Sequence, residues 1–202
     1  MKNLHTTLFN ATLLVSLFAI VSCGQTKTED ANSVDSTEDS KEVAEERNDE
    51  TFETRASEKD AQFLVNAAEI GMEEVKLAEL VLSKSTNADV KELATMMRDE
   101  HTKAGEDLKA LAAKKGVTIP TVLTEDGEDT HKKLSEKEGK KFDKEYCDMM
   151  VKGHKDAIDK FEKASKDAED ADIKNWATTM LPTLRNHLEH SKTCKDKCDK
   201  LK

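Results

Sequence analysis

Apolar residues recur every three to four positions along four long stretches between residue 57 and the C-terminus. A period of 3.6 residues is typical of amphipathic α-helices, whose apolar face packs into a core. The four predicted helices run from Ser57, a candidate N-cap, to Lys84, from Asn87 to Lys115, from about Gly139 to Asp167, and from Asp170 almost to the C-terminus. Gly116 is placed to end the second helix, and the segment 117–138 has room for a short additional helix.

The second and fourth predicted helices are related in sequence. NADVKELATMM, residues 87–97, and DADIKNWATTM, residues 170–180, are identical at six of eleven positions at an offset of 83 residues. The first and third helices correspond more weakly at the same offset. Because neither αα-hairpin could bury its apolar face alone, the pattern predicts that residues 57–202 form an all-α four-helix bundle built from two such hairpins.

Residues 1–22 are typical of an export signal. The apolar run over residues 11–21 is too short to span a bilayer. It leads into IVSC, residues 20–23, which resembles the lipobox of bacterial lipoproteins and implies cleavage before Cys23 and lipidation of its sulfur. An ordinary cleaved signal with a chance cysteine is the alternative. We expect a lipid-anchored protein of the cell envelope, assigned to the outer membrane by analogy because Gly24 offers no acidic retention signal.

Residues 23–56 carry much of the chain's acidic excess. From residue 24 to residue 56 there are eleven acidic residues, four basic residues and one aromatic residue. Low hydrophobicity with a high net charge is typical of disorder, so this segment is predicted to be a lipidated, disordered acidic tether. In residues 57–202 the two signs of charge are interspersed, and no basic patch indicates a nucleic-acid partner. No catalytic triad or phosphate-binding loop stands out, and we expect no enzymatic activity.

One side chain of a metal-ligating type interrupts the apolar stripe of each predicted helix, namely Glu74, His101, His154 and His187. Counted from the two hairpin turns at 1.5 Å per residue, the four lie within roughly 9 Å of one another in height. A carboxylate and three imidazoles at one level of a bundle suit a transition metal such as zinc, copper or iron(II). The alternative is that each histidine is a hydrogen-bonded core residue and that Glu74 lies at the edge of its stripe.

The spacing of these residues argues against a ferritin-type di-iron centre. Such a centre takes a Glu-x-x-His pair from each of two helices and a further glutamate from each of the other two. The residues three positions before His101, His154 and His187 are Arg98, Val151 and Leu184. A bound metal is therefore expected to be mononuclear and held mainly by histidines.

The C-terminal stretch HLEHSKTCKDKC contains a second candidate cluster. His190, Cys194 and Cys198 lie on one face of a continuing helix, at spacings of four residues. Imidazole and thiol together suit copper or zinc. The two cysteines could instead pair as a disulfide, for which a regular helix would have to distort, or stay free at an exposed helix end. Cys147 lies within the third apolar stripe and is interpreted as a small buried hydrophobic residue.

Four stretches of the predicted bundle resemble one known family: FLVNAAEIGMEEVKLAEL, VKELATMMRDEHTKAGEDLKALAAKKGV, YCDMMVKGHKDAIDKFEKA and MLPTLRNHLEH. Residues 58–191 are similar to the bacterial envelope proteins grouped as domain of unknown function 4142, which are often labelled outer-membrane proteins. The resemblance implies a ferritin-like fold and no established reaction. In this resemblance the recurrent histidines of the family correspond to His101, His154 and His187. The acidic position of the family corresponds to Glu74.

The sequence therefore favours a membrane-anchored envelope lipoprotein whose ferritin-like bundle is a non-catalytic binding or structural module. The lipid anchor would make the membrane one partner, and no protein partner is indicated. The alternative is a metal-binding or redox module with a mononuclear, histidine-rich site in the bundle core.

Overall fold

The computed structural model describes residues 39–200, except for the side chains of residues 55 and 56. Every regular element in this range is a helix, which confirms the predicted all-α class. The helices are α1 (Ser40–Thr51), α2 (Arg55–Lys84), α3 (Ala88–Lys115), α4 (Glu125–Ser135), α5 (Gly139–Asp167) and α6 (Ala171–Lys200). None of these six helices has the length and apolar character needed to cross a membrane. The predicted signal peptide and Cys23 lie outside the described residues.

Four long helices form the bundle as two αα-hairpins. α2 packs along α3 and α5 packs along α6, and the hairpins meet where α2 contacts α5 and α3 contacts α6. The connections within the hairpins are only residues 85–87 and 168–170, so the helices of each pair run antiparallel. The predicted bundle is confirmed, and the predicted short helix in the segment 117–138 is α4.

Local capping explains where the long helices begin and end. The N-cap of α2 is Thr54, whose hydroxyl accepts a hydrogen bond from the backbone N–H of Ser57, so the cap predicted at Ser57 was three residues late. Asn87 caps α3 in the same way by accepting from the N–H of Asp89. α3 ends at Gly116, whose φ of 69° is a left-handed conformation that glycine adopts without strain.

The helix α1 corrects the prediction of a disordered tether for residues 40–51. Asn48 is buried, and its side-chain amide donates to the carbonyl of Thr118 and accepts from the N–H of Thr118, both at 2.8 Å. Ala44 is the only other residue that α1 buries. The charged helix also forms an ion pair between Lys41 and Glu69, so it docks through polar contacts, which composition does not reveal. Residues 23–38 of the predicted tether lie outside the described part of the chain.

The apolar core is divided into two clusters along the bundle. One contains Leu64, Phe161 and Leu184, and the other contains Leu77, Met97 and Met150. On each of the four long helices, the polar residue that interrupts the stripe lies between members of the two clusters. The bundle thus holds a buried polar layer between two apolar halves, and this layer is the candidate site.

Candidate metal centre

The structure brings the four predicted ligand residues together. α2 contributes Glu74, α3 contributes His101, α5 contributes His154 and α6 contributes His187, and all four are at most 7 % exposed. The three imidazoles each offer a nitrogen within 4.8 Å of the other two. Glu74 Oε2 lies 2.6 Å from His101 Nε2, and Glu74 Oε1 lies 3.4 Å from His154 Nδ1. Each long helix therefore supplies one ligand-type side chain to a single buried cluster.

The outer ring nitrogens of two histidines fix their tautomers. His154 Nδ1 lies 2.9 Å from the carbonyl oxygen of Met150, which can only accept, so this nitrogen carries a proton. His187 Nε2 lies 2.9 Å from a carboxylate oxygen of Glu100 and donates to it. The inward nitrogens, His154 Nε2 and His187 Nδ1, lie 3.2 Å apart, and when both rings are neutral each of them carries a lone pair. Two facing lone pairs repel each other, and a cation that accepts both of them removes this repulsion.

Glu74 and His101 make a second unusual contact. Oε2 and Nε2 are 2.6 Å apart, yet the contact lacks hydrogen-bond geometry, and neither atom has a hydrogen-bond partner among the described residues. The two atoms instead face each other as a buried carboxylate–imidazole pair. A metal ion bound by both atoms would satisfy the two together, so the residues that are present fit a metal site.

The carboxylate and the imidazoles set one another's charge. Burial alone would raise the pKa of Glu74, but the positive charge that His101 and His154 carry when protonated lowers this pKa to about 2, so Glu74 is ionised at neutral pH. Burial and the neighbouring His101 lower the pKa of His187 to about 4, which keeps this imidazole neutral. Burial would also lower the pKa of His101, but the Glu74 carboxylate outweighs burial and raises it. The site is therefore negative at Glu74 and offers a neutral ligand at His187.

Glu100 is a residue of the site that the sequence analysis missed. It is half exposed and joins α3 to α6 through its contact with His187. Metal-ligating histidines commonly donate their second N–H to a carboxylate or a backbone carbonyl, and both arrangements occur here. The apolar stripe gave no signal for Glu100, because this residue lies beside the stripe and its contact depends on how α3 and α6 are rotated.

An apolar groove of about 420 Å³ reaches His101 from the side of α2 and α3. Trp176 and Met180 contribute to its lining. Gly71 and Gly105 also line it, and a Cβ atom added to either glycine would meet nothing within 4 Å. The groove provides a route by which a small solute can approach the buried cluster.

The second predicted cluster has a different composition from the one expected. Cys194 and Cys198 are buried free thiols, but His190 is exposed and does not join them. The third member is Cys147, whose Sγ lies 2.9 Å from Cys194 Sγ and 3.8 Å from Cys198 Sγ. Cys147 is buried, as expected, but its thiol neighbours were missed because they lie on another helix, 47 residues away in the case of Cys194.

Known proteins resemble this chain at the level of a family and of a fold. No curated protein sequence matches it. The crystal structure of a DUF305 fragment from Deinococcus radiodurans is similar with a TM-score of 0.60 at 14% sequence identity, over 71% of this chain and 97% of that chain. At such low identity this likeness shows the fold alone. The family described as Domain of unknown function (DUF4142) matches residues 45–194, a range that includes Glu74 and the three core histidines. The chain therefore belongs to the DUF4142 family.

Proposed function

We propose that the bundle binds one transition-metal ion in its polar layer, with His101, His154, His187 and Glu74 as ligands. The orientation of His154 and His187 carries the proposal. Their outer nitrogens donate to a backbone carbonyl and to a carboxylate, so their inward lone pairs converge 3.2 Å apart in the core. Histidines that serve only the fold have no need for two facing acceptor nitrogens.

The ligand set favours a single divalent ion of the first transition row. Imidazole suits zinc, copper and iron, and the affinity of such a site rises toward copper along the series. Only one carboxylate, Glu74, is buried with the three imidazoles, whereas a di-iron centre draws a carboxylate from every helix. Zn²⁺ and Cu²⁺ are therefore the ions to test first, and the proposed role is binding rather than catalysis.

Metal analysis of the full chain, purified in detergent without an affinity tag, tests this site. After stripping and dialysis against Zn²⁺ or Cu²⁺, the wild type should retain one ion more per chain than the His101→Ala/His154→Ala variant. The matched control is His190→Ala, which removes an exposed imidazole from the same helix as His187 and should bind metal as the wild type does.

Two further readouts make this experiment decisive. Circular dichroism must show that the double variant keeps its helices, and electron paramagnetic resonance of the Cu²⁺ form should show nitrogen ligands that the double variant lacks. Equal metal contents in the folded double variant and the wild type would contradict the proposal.

The location of the protein is a separate proposal, which rests on the sequence motif at residues 20–23. In this proposal lipidated Cys23 holds the bundle at the outer membrane of the cell envelope. The wild type should incorporate labelled fatty acid and sediment with membranes, whereas Cys23→Ser should do neither. Membrane association and labelling that are unchanged in Cys23→Ser would rule out this anchor.

A further inference from the structure

The three buried cysteines form a second cluster about two helical turns from the histidine layer. Cys147 precedes His154 by seven residues in α5, and Cys194 follows His187 by seven residues in α6, a separation of roughly 10 Å along the bundle. Cys198 lies one turn further along α6. Because seven residues are close to two full turns, the thiols lie on the same inner faces of these helices as the histidines.

The three sulfur atoms are close enough to share one metal ion. All three Sγ atoms lie within 4.8 Å of one another, and the two distances from Cys147 are 2.9 Å and 3.8 Å. Three sulfurs bound in a plane to one metal at about 2.3 Å are roughly 4 Å apart. Small rotations of the side chains would therefore suffice to bring the thiols to bonding distance of a common ion.

The surroundings of the thiols are apolar, with negative groups nearby. The three cysteines are at most 8% exposed and belong to the cluster that also contains Phe142 and Met150. Two carboxylates lie close enough to act on the thiols, Asp143 on Cys198 and Asp89 on Cys194, but the hydrogen bond with Cys147 is the larger influence on Cys194 and lowers its pKa. Burial, together with the neighbouring thiol of Cys194, raises the pKa of Cys198 to about 11, so this thiol keeps its proton at neutral pH. A metal ion that binds here has to displace this proton, as thiolate ligation to a metal does.

The type and number of ligands select the metal. Thiolates are soft ligands that select Cu(I), zinc and iron–sulfur clusters. Zinc in structural sites takes four ligands, whereas this cluster offers three sulfurs and, within residues 39–200, no histidine or carboxylate joins the group. Cu(I) is a closed-shell ion that readily takes three sulfur ligands.

We propose that Cys147, Cys194 and Cys198 bind one Cu(I) ion as three thiolates, at a site separate from the histidine site. Binding releases the thiol protons to solvent and changes the oxidation state of neither sulfur nor copper. The competing state is a disulfide between Cys147 and one of the other two cysteines, which would leave a single thiol unable to hold the ion.

The test uses the full chain carrying Cys23→Ser, in which the three buried cysteines are the only thiols left of the four in the sequence. The reduced protein is titrated anaerobically with Cu(I) in competition with a chromogenic Cu(I) chelator. We expect one tightly bound Cu(I) per chain, and the same value when His101→Ala and His154→Ala are added. Copper X-ray absorption should show three sulfur neighbours.

Serine substitutions assign the ligands one by one. Cys147→Ser, Cys194→Ser and Cys198→Ser should each leave two sulfur neighbours and weaken Cu(I) binding at least about tenfold, since loss of even an outer partner of a ligand costs 10–100-fold. Cys198 lies near the end of α6, so its variant is the least able to disturb folding. His190→Ala serves as the control on the same helix and should leave the affinity unchanged.

Several results would overturn this proposal. One is a fully reduced, folded chain that cannot compete with the chelator for Cu(I). Another is Cu(I) binding that disappears with the histidine variant or survives unchanged in Cys147→Ser. A disulfide that persists in the folded chain under reductant would also exclude the site.

Discussion

At the scale of single residues, His187 shows how a ligand is held in a fixed orientation. One ring nitrogen faces His154 in the core, and the other donates to Glu100 near the surface of α3. Glu100 is 46% exposed, so its interaction with His187 is partly screened by solvent. Its value lies in fixing the tautomer and the rotation of the ring rather than in the stability of the fold.

Glu100→Gln is therefore expected to weaken metal binding about 10–100-fold while leaving the thermal stability of the metal-free chain nearly unchanged, because the amide orients the ring less strictly than the carboxylate. Competition titration with Zn²⁺ measures the affinity. Asp99→Asn is the matched control, since Asp99 is exposed and pairs with Arg98 instead. Equal losses of affinity in the two variants would show a general effect of charge, not a positioning role for Glu100.

The buried hydroxyl of Tyr146 is expected to destabilise the folded chain. The residue is fully buried, its hydroxyl has no hydrogen-bond partner among the described residues, and burial raises its pKa well above the ordinary value. Tyr146→Phe should therefore raise the free energy of unfolding of the metal-free chain by about 1 kcal/mol, as measured by urea denaturation.

The reciprocal change provides the control for this prediction. Phe142→Tyr adds a hydroxyl to a neighbouring buried ring of the same cluster and should lower the free energy of unfolding by about 1–3 kcal/mol. A marked loss of stability in Tyr146→Phe would mean that the hydroxyl makes a bond that stabilises the fold.

A site residue could be predicted only where the pattern along its own helix marks it. Glu74 and the three core histidines interrupt apolar stripes, so the pattern along one helix was enough to identify them, and the hairpin turns gave their common height. Glu100 lies beside the stripe, and the thiol neighbours of Cys147 lie on another helix. Such contacts are set by the rotation and pairing of helices, which periodicity along a single chain does not specify.

At the scale of elements, both ends of α3 were predictable because they are encoded locally. Asn87 and Gly116 act within one turn of the helix that they begin or end. α1 is different, because its docking depends on Thr118, which is 70 residues away from Asn48 in the sequence. Its charged composition is also typical of disorder, so nothing local in the sequence predicted that it packs on the bundle.

Asn48→Ala should release α1 without unfolding the bundle. The change removes both hydrogen bonds to Thr118 and leaves its partly buried N–H and C=O without this partner, at a cost of about 1–3 kcal/mol. Hydrogen exchange should accelerate in α1, while the exchange of α2 to α6 stays close to that of the wild type.

Asp49→Ala is the control for this prediction, because Asp49 is the exposed neighbour of Asn48 on the same helix. It should leave the exchange of α1 unchanged. Wild-type protection of α1 in Asn48→Ala would show that other contacts, such as the ion pair of Lys41 with Glu69, hold the helix in place.

At the scale of the whole molecule, a polar layer interrupts an otherwise continuous apolar core. Two internally related hairpins place their interruptions at the same height, so the cost of burying Glu74 and three imidazoles is concentrated in one layer. Burying charged groups is unfavourable unless they are well paired, and the contacts of this layer include facing lone pairs and atoms without hydrogen-bond partners. The metal-free bundle is therefore expected to be less stable than a bundle with apolar residues in this layer. A bound ion should recover part of the lost stability.

Zn²⁺ at 100 times its dissociation constant should stabilise the stripped wild type by about 2.7 kcal/mol, because the ion binds the folded chain and not the unfolded one. For a domain of this size such a gain corresponds to a rise in Tm of roughly 5–10 °C, measured by circular dichroism. The rise should vanish in His101→Ala/His154→Ala and persist in Cys147→Ser. If it vanished only in Cys147→Ser, the stabilising ion would lie among the thiols, and the histidine layer would have no part in binding it.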